Sequence, residues 1–266
     1  MIIDYKTKFM NTSDYPKENW KYYSSGGPKN RLTNLLVSKC KGYCMYCGKK
    51  VVIESDYRFQ IEHAVDKDGN RYQELDSSSA LMHCKYNLAI SCSECNQVCK
   101  KSVDKLNLMK YGVIPACNNT CEDLCDNYRS MREDYERKNA IILQPIGSSK
   151  LEKDAIVYSL FDHLYEPNDS ITDYDAIFLV QNHIDRFRLN GERFSTTVID
   201  ICVRAVQCIE SGVNDLSKIL SLLEGENFDN IIGEDYIRFL KDTFFDSNAG
   251  ELKEFCKLLI ILDAVV

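Results

Sequence analysis

Two short cysteine motifs of identical spacing constrain the chain most: Cys44-Met45-Tyr46-Cys47 and Cys92-Ser93-Glu94-Cys95. A C-x-x-C turn lets two thiolates reach one metal ion, and a second such turn completes a tetrahedral four-sulfur site. Four thiolates leave no open position, so the pattern predicts a structural Zn²⁺ ion that does not activate water. The simpler alternative is two independent turns with free thiols. A redox C-x-x-C needs only one pair and a thioredoxin-like strand and helix around it.

The other cysteines carry weaker signals. The chain has 266 residues and 13 cysteines, an odd number. Its N-terminal sequence lacks the layout of a secretory signal and no apolar run is long enough to cross a bilayer, so we expect a cytoplasmic protein without membrane contacts. Disulfides are rare in that compartment, which favours metal binding. A second metal site is an open hypothesis, formed by Cys117, Cys121 and Cys125 with Cys99 or His83.

Charge divides the chain into two unequal parts. Residues 1–110 contain 18 Lys and Arg against 12 Asp and Glu, whereas residues 111–266 contain 15 against 28. Phosphate groups bind to Lys and Arg, so nucleic acid would meet the first part, and the acidic second part suits a protein partner. Two domains with ordinary scatter in charge would look the same. We place the boundary between residues 111 and 150.

The pattern of apolar residues predicts an α+β protein with a mostly helical C-terminal half. Residues 1–28 read as an irregular arm and residues 30–39 as a short helix. Strand character at 51–53 and 57–64 predicts a hairpin with its turn at 54–56. Further helices are predicted at 123–142, 174–189, 195–211, 214–224, 233–244 and 250–263, with Ser195 or Thr196 capping the third of these and Gly212 just after its end.

Residues with the chemistry of a hydrolytic site lie between and just after the cysteine pairs. Cleaving a phosphodiester needs a base, oxygen ligands for a divalent cation, and cations near the phosphate. His63 can act as the base near neutral pH. Glu62 and Asn96 offer the oxygens that Mg²⁺ accepts. The candidate phosphate contacts are Lys67, Lys100 and Lys101.

The order C-x-x-C, Glu-His, Asn, C-x-x-C-Asn resembles the HNH endonucleases, in the variant whose last His is Asn. The resemblance covers 44–101 and implies a ββα-metal fold, in which a hairpin and a helix surround one divalent cation. It implies that His63 is the general base, that Glu62 and Asn96 bind Mg²⁺ or Mn²⁺, and that Asn87 holds the loop carrying His63. Residues 1–110 would then be the nuclease domain with an N-terminal arm. Two positions depart from the family: Asp66 replaces a Pro and Cys99 replaces a Lys.

A narrower resemblance concerns the HNH proteins of retron and Septu anti-phage systems. It rests on the Glu-His-x-x-x-Lys stretch and on the later segment Arg186-Phe187-Arg188-Leu189-Asn190. It implies a nuclease subunit of a defence complex with an SMC/ABC-like ATPase partner, docked on the acidic helical half of 111–266.

Three alternatives stay open. The chain could be a zinc-stabilised module that binds nucleic acid or protein and whose nuclease site is silent. It could cleave RNA, because the same chemistry serves either backbone, although we expect DNA. The acidic half could also be an inhibitory cover over the nuclease.

Overall fold

The computed structural model describes residues 1–17, 22–23, 26–66, 81–100, 124–151, 155–225 and 228–265, with the backbone alone at 192–195. Within these ranges the protein mixes α-helices with small antiparallel sheets, and about half of it is helical. The predicted mixture of α and β structure with a helical C-terminal part is therefore confirmed at this level.

The largest sheet joins the start of the sequence to a segment past its middle. Its three strands are β1 (Ile2–Tyr5), β6 (Ile156–Ser159) and β7 (Leu164–Pro167), in the order β1-β6-β7. Ile3 lies opposite Tyr158, and Tyr5 opposite Ile156. The expectation of an irregular arm over 1–28 is thus wrong at its start. Ile3 and Tyr5 alternate with exposed neighbours, but the strand that buries them is 150 residues away.

Two smaller hairpins carry the region around the cysteines. The first pairs β2 (Val52–Ile53) with β3 (Asp56–Tyr57), close to the predicted hairpin. The second pairs β4 (Gln60–His63) with β5 (Leu88–Ser91), placing Glu62 opposite Ala89 and His63 opposite Leu88. Every residue of β5 is buried. A short run with no exposed alternate positions carries no period-2 signal, and the sequence therefore did not reveal this strand.

Helices form most of the remainder. The helix α1 (Gly27–Lys39) precedes the first cysteine pair, and the others lie in the second half: α2 (Asp126–Asn139), α3 (Tyr174–Arg186), α4 (Glu192–Glu210), α5 (Leu216–Glu224), α6 (Ile231–Thr243) and α7 (Ala249–Asp263). All of them match predicted helices within a few residues. The predicted N-cap of α4 is wrong. The helix begins at Glu192 and its N-cap residue is Gly191, not Ser195 or Thr196. No helix in the described ranges is long and apolar enough to cross a membrane.

The turn after the first cysteine pair is joined to the start of α6 by backbone hydrogen bonds. Lys50 N–H donates to Asp229 O at 2.7 Å, and Ile231 N–H donates to Gly48 O at 2.9 Å. Buried hydrophobic side chains from both parts of the chain form one continuous cluster. The predicted boundary between 111 and 150 therefore lies in a chain whose two parts share a core, and the division into two domains stays a prediction.

Candidate metal centre and surrounding site

The four predicted cysteines converge. One sulfur atom from each of Cys44, Cys47, Cys92 and Cys95 lies within 4.8 Å of every other, and all four residues are buried. Cys47 Sγ and Cys92 Sγ are 3.8 Å apart. Each pair sits in a tight turn, since Gly48 N–H donates to Cys44 O and Asn96 N–H donates to Cys92 O. Four convergent thiols are a donor set that fits Zn²⁺, so these residues could hold a structural metal ion.

The proximity of the thiols changes their acidity. Contacts with Cys44, Cys47 and Cys95 hold the pKa of Cys92 well below its ordinary value. Contacts with Cys44 and Cys92 raise the pKa of Cys47, and contacts with Cys44 and Cys47 raise that of Cys95. The cluster without a metal thus favours a thiolate at Cys92 beside neutral thiols at Cys47 and Cys95, and a bound cation would favour the deprotonated form of all four.

The second metal site stays a prediction. Cys117 and Cys121 lie outside the described residues. Cys99 is buried, and contact with Cys95 lowers its pKa, whereas Cys125 is exposed. In the described part of the chain, Cys44, Cys47, Cys92 and Cys95 are the one group of three or more His, Cys, Asp or Glu side chains close enough to share a metal ion.

Glu62 lies beside this cluster and is almost completely buried, at 1% exposure. Tyr46, from the middle of the first cysteine turn, donates its hydroxyl to Glu62 Oε2 at 2.7 Å. Lys100 forms an ion pair with Glu62 Oε1 and also donates to the carbonyl oxygens of His63 and Ala64, at 2.9 and 3.0 Å. Both carboxylate oxygens therefore already accept hydrogen bonds.

Lys100 was expected to contact phosphate, but the structure places it inside the protein. It is 7% exposed, and burial together with nearby Arg132 lowers its pKa well below the ordinary value. The carboxylate of Glu62 acts in the opposite sense. Lys67 and Lys101 lie outside the described residues. Oxygen donors suited to Mg²⁺ are present, but a cation at Glu62 would compete with the Lys100 ammonium.

His63 ends β4 with its ring partly enclosed. Its Nε2 lies 3.1 Å from Met82 O, and its ring contacts Tyr23 edge-on at 4.7 Å between centroids. A carbonyl oxygen can only accept, so this contact places the proton of a neutral ring on Nε2 and the lone pair on Nδ1. That is the protonation form a general base requires.

Asn87 is fully buried and links three segments. Its Oδ1 accepts from Val65 N–H and from the hydroxyl of Tyr128, both at 2.7 Å. Its Nδ2 donates to Val65 O and Leu81 O at 3.0 and 2.9 Å. These bonds hold the chain two residues after His63. A contribution of Asn87 to a reaction stays a prediction.

Asn96 lies on the π-helical turn Cys95–Cys99, directly after the second cysteine pair. Its Nδ2 donates to Gln60 Oε1 at 2.7 Å, which ties this turn to β4. Among the hydrogen bonds of the described residues, none joins Asn96 to Glu62. The structure thus brings Glu62 together with Lys100, and brings Asn96 to the strand that carries Glu62.

Two residues that sequence reasoning treated as packing or structural groups contact the site. The backbone carbonyl of Tyr46 accepts from the hydroxyl of Tyr5 at 3.1 Å and from His183 Nε2 at 3.3 Å. His183 Nδ1 in turn accepts from Ile142 N–H at 3.3 Å. Burial, with a smaller effect of Arg186, lowers the pKa of His183 to about 3. Tyr46 was detectable only by its place between two cysteines, and His183 had no sequence signal.

The segment 186–190 lies near the second cysteine pair. The Arg186 guanidinium donates to Cys99 O at 3.5 Å, and Arg188 pairs with Glu94 at 3.6 Å. Asn190 instead bonds the backbone of Tyr165 in β7, at 2.6 and 2.9 Å. This segment therefore attaches the helical half to the cysteine region.

Comparison with known proteins places the chain in no established group. No protein-family model, no curated protein and no solved structure matches it.

Proposed function

We propose that the chain is a metal-dependent endonuclease of the HNH type that hydrolyses phosphodiester bonds, with DNA as the expected substrate. One observation carries the proposal. The strand that ends in Glu62 and His63 pairs with β5, and β5 runs directly into the second cysteine pair and the helical turn bearing Asn96. A hairpin followed by a helical turn, supported by a cysteine cluster, is the arrangement that such a nuclease needs.

The proposed roles follow from the chemistry of each side chain. His63 Nδ1 would take a proton from water, whose oxygen attacks phosphorus as the bond to the leaving oxygen breaks. Asn87 would hold the loop after His63 through Val65. Glu62 and Asn96 would hold Mg²⁺ or Mn²⁺, which when bound supplies Lewis-acid stabilisation of charge on the phosphate. Lys100 would have to give up its bond to Glu62, or share that carboxylate.

The same proposal extends to a partner. The second half carries the excess of acidic residues. These residues repel nucleic acid, so this half is better suited to contact a protein. Exposed apolar side chains follow one another along and just after α7, at Leu258, Ile261 and Val265. We therefore propose docking of an SMC/ABC-like ATPase on this half, in the cytoplasm, within an anti-phage complex.

A second candidate function is a zinc-stabilised binding module without catalysis. The observation that favours it is the burial and neutralisation of Glu62 by Lys100 and Tyr46. A carboxylate engaged in this way can serve the fold alone. RNA cleavage is a variant of the first candidate, since the site chemistry does not distinguish the two backbones.

The test is cleavage of plasmid DNA and of a structured RNA by the purified protein with Mg²⁺ or Mn²⁺. Wild type is compared with His63→Ala and with His163→Ala, a histidine between β6 and β7 that has no proposed role in the reaction or in metal binding. We expect loss of about 100-fold or more in rate for His63→Ala alone, with zinc content unchanged. Equal cutting by wild type and His63→Ala would contradict the assignment. Tight nucleic-acid binding without cutting by any variant would favour the binding module.

A further inference from the structure

A cleft separate from the proposed nuclease site is lined by basic side chains. Its walls are residues 4–9, the end of α1 with the turn 39–41, and one face of α6, and its volume is about 420 Å³. Glu62, His63 and Asn96 do not line it. Five cations do: Lys6, Lys8, Lys39, Lys41 and Arg238. We call this feature the basic cleft.

Three of these cations are already balanced by carboxylates. The pairs, at 2.8 to 2.9 Å between nitrogen and oxygen, are Lys39 with Asp14, Lys41 with Glu234, and Arg238 with Asp235. Pairs of this kind near the surface hold their side chains in place without leaving net charge. Lys6 and Lys8 are the lining cations outside these three pairs, and Asp4 is the lining carboxylate outside them.

Lys6 and Lys8 are not in an ion pair with any carboxylate of the described residues. The Lys6 ammonium lies 5.1 Å from the centroid of the Phe9 ring in a cation–π contact, and the Asp235 carboxylate offsets only part of its charge from a distance. Burial, and then the like charges of Lys39 and Lys41, lower the pKa of Lys6. The cleft thus concentrates positive charge at a cost that a bound anion would relieve.

We propose that the basic cleft binds the phosphate group of a phosphorylated ligand. Lys6 and Lys8 can both donate to phosphate oxygens. The five cations exceed the four carboxylates Asp4, Asp14, Glu234 and Asp235 by one, so the cleft keeps a positive charge that favours a phosphomonoester, whose charge is roughly −1.5 to −2 at neutral pH. The volume is within the range of small-molecule sites, so the ligand is larger than a bare phosphate ion and of nucleotide size. The phosphate could belong to a free nucleotide or to the end of a nucleic-acid strand. The proposal does not depend on nuclease activity.

The test measures binding to the full-length protein by calorimetry at 0.15 M salt. The probes are adenosine 5′-monophosphate, adenosine, and an oligonucleotide with a 5′-phosphate or a 5′-hydroxyl. The test variant is Lys6→Gln with Lys8→Gln, both at exposed positions, and the matched control is Lys150→Gln with Lys218→Gln, outside the cleft. Thermal unfolding and zinc content confirm that both variants fold.

We expect adenosine 5′-monophosphate to bind wild type and the control alike and adenosine not to bind. The Lys6/Lys8 variant should bind the monophosphate about tenfold more weakly or worse. Loss confined to the 5′-phosphorylated oligonucleotide would identify a strand end as the source of the phosphate. Equal affinity of the test and control variants for every phosphate probe, or no binding of any probe at millimolar concentration, would overturn the proposal.

Discussion

The role of Lys100 that the structure indicates differs from the role predicted from the sequence. In the sequence Lys100 directly follows Cys99 and precedes Lys101, and such a pair of lysines is expected to contact phosphate. In the fold its ammonium is enclosed, with Glu62 and the carbonyls of His63 and Ala64 as acceptors. A buried charge is tolerated only when it is paired and its donors are satisfied, and Lys100 meets both conditions. Its first role is therefore to hold Glu62 and the end of β4.

His183 makes stability depend on pH. Its pKa is about 3 in the folded protein and about 6.5 in an unfolded chain. Because the unfolded chain binds the proton more readily, stability falls as the pH drops from 6.5 towards 3. We expect wild type to lose about 2 kcal/mol at pH 5 relative to pH 8 through this residue. Urea unfolding at both pH values measures the difference.

The control for this prediction is His183→Gln, which can still donate to Tyr46 O and accept from Ile142 N–H but does not titrate. Acid also weakens metal binding by the cysteines, and that effect is common to both proteins. A pH dependence as steep in His183→Gln as in wild type would show that His183 does not cause it.

The first cysteine turn keeps its conformation because it packs tightly against the start of α6. Gly48, directly after Cys47, has φ +71°, and a Cβ there would lie 2.7 Å from Ile231 Cγ2 and 3.1 Å from Asn230 Oδ1. Asn230 also donates its side-chain amide to Cys47 O at 3.4 Å and caps α6 through Ile232 N–H. The first cysteine turn and the start of α6 therefore form one tightly packed joint.

We expect Gly48→Ala to reduce the free energy of unfolding by about 2 kcal/mol or more, because it adds both backbone strain and a steric clash. The matched control is Gly212→Ala, which has φ +95° and no atom within 4 Å of the new Cβ. That variant should lose only the backbone contribution, about 1 kcal/mol. Equal losses in the two variants would show that the joint does not constrain Gly48. Denaturant unfolding of both proteins gives the comparison.

At the scale of the whole molecule, the two halves complete each other. The strand β1 has its partner β6 in the second half, and the turn 48–50 bonds to residues 229–231. Without the second half, the edge of β1 and the buried faces of Tyr5 and Tyr46 would be exposed to water. The expected division into 1–110 and 111–266 separates a basic part from an acidic part, but side-chain packing and backbone hydrogen bonds join the two.

We expect a fragment of residues 1–110 to lack a cooperative thermal transition, since it loses the β6 partner and the α6 joint. The full chain should unfold cooperatively and bind about one zinc ion through the four clustered cysteines. Circular dichroism melts and metal analysis of both proteins test this. A fragment that melts cooperatively with zinc bound would instead support two independent domains.

Sequence reasoning was most successful where structure is local. The helices followed from apolar residues at helical spacing, and the cluster of Cys44, Cys47, Cys92 and Cys95 followed from two equal short spacings. The strands β6 and β7 were missed. All four residues of Ile156–Ser159 are buried, so no alternation distinguishes this run from a helical one. At the candidate site, the sequence predicted Glu62, His63 and Asn96 as site residues, but it did not predict which groups they would bond to.

The sequence by itself determined the helices, the two cysteine turns and the place of Glu62 and His63 at the end of a strand, because each depends on spacing within a few residues. The equal spacing of the two turns predicted that they share a metal ion, but the fold is what brings them together. Only the tertiary structure decided that Lys100 is buried against Glu62, that Tyr46 joins the cysteine cluster to that carboxylate, and that Lys6 and Lys8 meet α6 in one cleft. Those contacts join residues whose sequence positions differ by 16 to more than 200. Local sequence patterns do not specify which of such separated residues will meet in space.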